Sequence, residues 1–199
     1  MIITETITQE GDRMRAVRNN IFETNSSSTH SLSIKRNRTG KYDYSVPLMQ
    51  NGKCLLIFGR NYDFGWGDAL YNDTYAKLNY LACMAFECHN QLMYKNKRER
   101  LKNIDDVLKI KDIQKLFNIM KKHIKGFTGF SISNQDFSRY MASSQELYLV
   151  NSIDHQSWED YKNIDEFLYK HKVTLENFLF NPSVKLVIGN DNCDSYDYF

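Results

Sequence analysis

The chain has 199 residues, with 26 Lys and Arg against 24 Asp and Glu and a formal net charge of +2. This near balance argues against a dedicated nucleic-acid packaging protein, and 42% hydrophobic with 14% aromatic residues is too much apolar material for a disordered chain. No apolar run is long enough to span a bilayer and the opening MIITETITQEGDR lacks the regions of a signal peptide, so a cytoplasmic protein with Cys54, Cys83, Cys88 and Cys193 as reduced thiols is expected.

The length suits a single domain over residues 1–199. Residues 1–14 are polar and unpatterned and read as a weakly attached end. Ser31–Arg36 alternates, with Leu32 and Ile34 on one side, and predicts a strand. Cys54–Phe58 is a compact apolar run between Gly52 and Gly59 and predicts a buried strand. The glycine-punctuated aromatic loop GRNYDFGWGDALYND follows. From Thr74 to Met93, residues Leu78, Leu81, Ala82, Ala85 and Leu92 fall on one face of a helix that Asn72 or Asp73 can cap. Tyr94–Asp106 is highly basic and is expected to be exposed. A second helix, Asp112–Lys125, carries the stripe Ile113, Leu116, Phe117, Met120 and Ile124, with Gly126 as its stop.

Phe127–Ser133 and Glu146–Ile153 read as strands. Ile164, Phe167 and Leu168 mark a helix starting near Trp158, and Thr174 can cap a short one through Phe180, which Asn181-Pro182 ends. Val184–Ile188 is a final strand before the tail GNDNCDSYDYF. Strands and helices alternate without regular β-α-β spacing. The pattern therefore predicts an α+β fold, a mixed or antiparallel sheet with the two central helices packed on it.

One polar stretch stands out: NNIFETNSSSTHSLSI, residues 19–34. If Asn25–Ser31 is extended, Ser26, Ser28 and His30 share one face. A turn needs one or two side-chain acceptors, and the remaining hydroxyls are then free for a ligand. The competing reading is a Ser/Thr turn whose hydroxyls bond the nearby backbone. The string IFETNSSSTHSLSI resembles the opening of an uncharacterised family of bacteriophage and low-GC bacterial proteins with a similar FETNSSSTHS motif after basic residues, as Arg15 and Arg18 stand here. DFGWGDALYNDTYAKLNY, IDHQS and IGNDN are also similar to that family. The resemblance implies a phage or prophage origin, hence a host-cell cytoplasm, and carries no catalytic residue with it.

Three further islands are polar. DHQS places Asp154, His155 and Ser157 at the end of a predicted strand, where the alternative is a helix cap at Ser157. GNDN puts Asn190, Asp191 and Asn192 in a turn. GRNYDFGWG lacks the G-K-[ST] of a Walker loop, but glycine beside Phe64 and Trp66 allows a stacking platform for a base or a protein side chain, where the alternative is a tight aromatic loop packed on the core. CMAFECH offers Cys83, Cys88 and His89, whose spacing does not assemble a zinc site, and no obligatory metal or cofactor is expected.

If strand ends gather these islands at one edge, they form one pocket. The expected function is then a small enzyme or binding protein for a nucleotide or nucleotide-derived ligand. His30 and His155 are the candidates for acid–base chemistry, Ser28 for the nucleophile, and Asp191 for the orienting carboxylate. Arg15 and Arg18 are candidate phosphate contacts, with Asn25, Ser26, Ser157 and Trp66 as further ligand-binding residues. The rival is a non-catalytic, phage-encoded interaction protein that inhibits a host nuclease or defence complex through its basic helices and aromatic loop.

Overall fold

The computed structural model describes residues 30–36, 41–58, 62, 64, 69–97, 100–139, 146–149, 153 and 161–190. The fold is α+β. Its axis is helix α1, Thr74–Lys95. Asp73, in extended conformation, starts it by accepting the Ala76 N–H at 2.7 Å. From Thr74 to Phe86 every residue except Tyr75 is buried, so this half is enclosed on all sides rather than along one stripe. Leu78, Leu81, Ala82 and Ala85 lie in the core as the spacing predicts. Leu92 does not: it is 49% exposed, because the last turns of α1 run out beyond the elements that enclose the first ones. Lys97, at φ 54°, then takes the chain off the helix.

Polar side chains in the buried half of α1 hold its neighbours. The Lys77 Nζ donates to the carbonyls of Asn181 (3.0 Å) and Val184 (3.2 Å), and burial pushes its pKa down to about 8. Asn79 uses both ends of its amide: Oδ1 accepts the Ile57 N–H at 2.8 Å and Nδ2 donates to the Tyr75 carbonyl at 2.9 Å. The Tyr75 hydroxyl donates to the Leu55 carbonyl at 2.6 Å. The bonds to Leu55 and Ile57 tie α1 to the end of strand β2, Lys53–Leu56. The predicted strand through Phe58 is shorter than expected, since Phe58 sits at φ 38° and breaks the extended run.

Among the described residues four shorter α-helices follow α1 in the chain. Helix α2 is Ile104–Val107 and helix α3 is Lys111–His123. Ile113, Leu116, Met120 and Ile124 are buried as the α3 stripe predicts, with Phe117 partly buried. Helix α4, Ile164–Lys170, starts at its Asn163 cap and not near Trp158, which lies outside the described residues. The side chain of Asn163 accepts the Glu166 N–H at 2.9 Å, and Asp112 of α3 accepts the Ile164 N–H at 2.9 Å. Helix α5, Leu175–Phe180, begins at Thr174, whose hydroxyl accepts the Asn177 N–H at 3.2 Å.

Strand β1 (His30–Arg36), strand β3 (Ala69–Tyr71) and strand β7 (Val184–Asn190) form an antiparallel sheet with β7 in the centre. Its register pairs His30 with Asn190 and Ala69 with Ile188. Val184, Leu186 and Ile188 bury one face of β7 and Val187 is buried on the other, as a central strand requires. Strand β4 (Gly129–Ile132) runs parallel to β2. Strand β5 (Phe137–Arg139) pairs antiparallel with strand β6 (Leu147–Leu149). Among the described residues no helix is long and apolar enough to cross a membrane.

Candidate functional site at the end of α1

The exposed turns of α1 place Phe86, Glu87, Asn90, Gln91, Tyr94 and Lys95 along one side, because positions three and four apart share a helical face. Arg100 and Tyr148 close the opposite side, giving a cleft of about 320 Å³. It adjoins a wider depression of about 600 Å³ bounded by Tyr94, Lys95, Lys97, Arg100, Glu146 and Tyr148. The segment after α1 is tied to β6 by the Leu147 N–H, which donates to the Leu101 carbonyl at 2.9 Å. That bond sets Arg100 beside Tyr148.

Arg100 is held rather than free. Its Nη1 donates to the Tyr148 hydroxyl at 2.7 Å and lies 3.7 Å from the Glu146 carboxylate. Tyr148 in turn donates to Glu146 at 3.1 Å. The guanidinium carbon stands 5.2 Å from the ring centres of both Tyr94 and Tyr148, within cation–π range. Tyr94 remains 71% exposed. The mouth of the cleft therefore combines aromatic surface with the cations Lys95, Lys97 and Arg100.

The floor has the opposite character. Asn90 is only 6% exposed, yet its Oδ1 has no hydrogen-bond partner. An unsatisfied buried acceptor of this kind costs about 1–3 kcal/mol. One turn earlier, burial pushes the Glu87 carboxyl up to about 7, against the pull of Arg100. Near neutral pH the floor thus carries a carbonyl and a carboxyl poised between its two protonation states.

The residues singled out in the sequence lie elsewhere. His30, the first residue of β1, is paired with Asn190, the last residue of β7. Ala69, the first residue of β3, is paired near that end too. Arg15, Arg18, Asn25, Ser26, Ser28, Trp66, His155, Ser157 and Asp191 lie outside the described residues. Phe64 is not a stacking platform: it is 1% exposed and packs edge-on against Tyr71 and Tyr80. The basic stretch is not uniformly exposed, because Arg100 is drawn down between two rings and Leu101 and Ile104 are partly buried against the core.

Cys83 and Cys88 are both buried, and Cys88 donates from Sγ to the Tyr161 carbonyl at 3.1 Å. Burial raises both thiol pKa values, that of Cys88 to about 12, which makes them poor nucleophiles. Among the described residues no group of three His, Cys, Asp or Glu side chains converges as a metal site would require. Glu87, Asn90 and Tyr148 were not singled out by sequence. The available signal was the polar spacing Glu87, Asn90, Tyr94 on one face of α1, which a solvated helix surface shows equally. Comparison with protein-family models, curated proteins and solved structures gives no match.

Proposed function

We propose that this protein binds a nucleotide or nucleotide-derived ligand in the cleft at the end of α1. The observation that carries the reading is Arg100, fixed between the rings of Tyr94 and Tyr148 with Lys95 and Lys97 at the same opening. Aromatic faces stack bases and cations attract phosphate, and the two together are the general means of holding a nucleotide without a Walker loop. The volume, about 320 Å³ with an open depression beside it, suits a small ligand. The reading requires binding, not catalysis.

Titration of the protein with nucleoside monophosphates, followed by calorimetry, tests it. Arg100→Met should weaken binding at least tenfold while the protein stays folded. Unchanged binding in that variant removes the cleft as the site. Loss of binding in His30→Ala, with Arg100→Met still binding, instead puts the ligand at the sheet end where β1 begins.

A second reading, a non-catalytic phage interaction protein that inhibits a host nuclease or defence complex, is favoured by one observation. Leu92 and Tyr94 are 49% and 71% exposed near the end of α1, and exposed aromatic side chains are enriched at protein contacts. Alanine at Leu92 would then abolish partner capture without changing nucleotide binding.

A further inference from the structure

The floor of the cleft says more about the ligand than its mouth does. Asn90 Oδ1 points an acceptor into buried space, and the protein offers it no donor. Glu87, one turn away on the same face, lines the same cleft with a second oxygen-bearing group. One cation of the cleft, Arg100, already donates to Tyr148 and pairs with Glu146. What completes this floor is a group with N–H bonds to give. A phosphate cannot do so, and it has the cations at the mouth to meet instead.

We infer that Asn90 and Glu87 read the exocyclic amino group of a nucleobase, so that the cleft prefers an amino-bearing base over the same base without it. The inference rests on the nucleotide reading above and names the part of the ligand that enters first. An amino group carries two N–H bonds and can bridge two acceptors on one helical face. A base lacking it leaves Asn90 Oδ1 as unpaired in the complex as in the free protein. Sites built to hydrogen-bond a substrate group discriminate strongly against analogues that lack that group, because a buried partner is then left unsatisfied.

The test uses two pairs of ligands that differ at this position, GMP against IMP and CMP against UMP. In UMP a carbonyl stands where CMP has its amino group, so that pair also asks whether an acceptor is repelled. The full chain is titrated with each by calorimetry at pH 7. The amino-bearing member of each pair should bind at least tenfold more tightly. Asn90→Ala should bring the GMP/IMP ratio to within about twofold while IMP still binds, and Glu87→Gln, which keeps the shape of the side chain, should reduce the ratio less. Equal affinity for GMP and IMP in the unmodified protein overturns the inference and leaves the nucleotide reading standing, with water as the partner of Asn90. A preference that survives Asn90→Ala also overturns it. Binding of none of the four overturns the nucleotide reading, and the inference with it.

Discussion

Asn79 and Asn90 sit on the same helix, about three turns apart and close to the same face. Both are buried, and they are used in opposite ways. Asn79 spends its carbonyl on Ile57 and its amino group on Tyr75, so its burial is fully offset inside the protein. Asn90 has a carbonyl with no partner. The difference marks where α1 stops being a structural axis and becomes the wall of a cleft. In the first half, polar groups are buried to close the fold. In the second, one is buried and left open.

The strongest way to break the comparison is to damage the first half. Leu81 is 0% exposed and surrounded by core, so Leu81→Asp should cost about 4 kcal/mol or more, enough to unfold many domains of this size. A thermal unfolding curve unchanged in that variant would show that the helix is not enclosed. The paired substitutions Asn79→Ala and Asn90→Ala go to the comparison itself. The first orphans the Ile57 N–H and should cost about 2 kcal/mol, while the second removes no bond at Oδ1 and should stay within about 0.5 kcal/mol of the parent. Equal losses in urea unfolding would mean that Asn90 is structural.

Glu87 sharpens the contrast through pH. Its carboxyl lies near 4.5 in the unfolded chain and at about 7 in the folded one. Between these values the folded protein keeps a proton that the unfolded chain has released. The contribution is therefore fully present below pH 4.5 and lost as pH rises through 7. Glu87→Gln escapes this loss. It should match the parent at pH 4 and exceed it by on the order of 1–2 kcal/mol at pH 8, measured by chemical unfolding at both values. A constant difference between the two proteins across that range would show that Glu87 is well solvated.

Much of the fold was legible in the sequence because local chemistry declares itself. Asp73 and Thr174 cap the helices they precede, and the apolar stripe of α3 is buried where its spacing puts it. The strands β1, β4 and β7 follow runs of apolar or alternating residues. What escaped was set by distant contacts. β3 is three residues inside an aromatic loop and exists because β7 pairs with it. Leu92 continues the apolar spacing of α1, but a stripe cannot say where the covering elements stop. The start of α4 moved to Ile164 because Asn163 and Asp112 together satisfy its first N–H groups. The cleft was less legible still. Asn90 has significance only because nothing pairs with it, and Arg100 only because two tyrosines from separate segments bracket it. The serine-rich string and the other polar islands, by contrast, were conspicuous in sequence, and of their candidate site residues the described structure reaches only His30 and Asn190, as sheet positions, while Tyr62 and Phe64 of the aromatic loop are packed rings.

The place of β7 in its sheet has a consequence for synthesis. Among the described strands, the one that joins β1 to β3 comes latest in the chain and β1 comes earliest. As the polypeptide emerges from the ribosome, the β2–β4 pair and the packing of α3 on α1 can form before the end of the chain is made. β1 must wait for Val184–Asn190 with its backbone donors and acceptors uncovered. Such long-range closure is slow, and an uncovered strand invites pairing with other chains. The nascent protein is thus most exposed to aggregation at β1, until β7 arrives and pairs with β1 and β3 in one step.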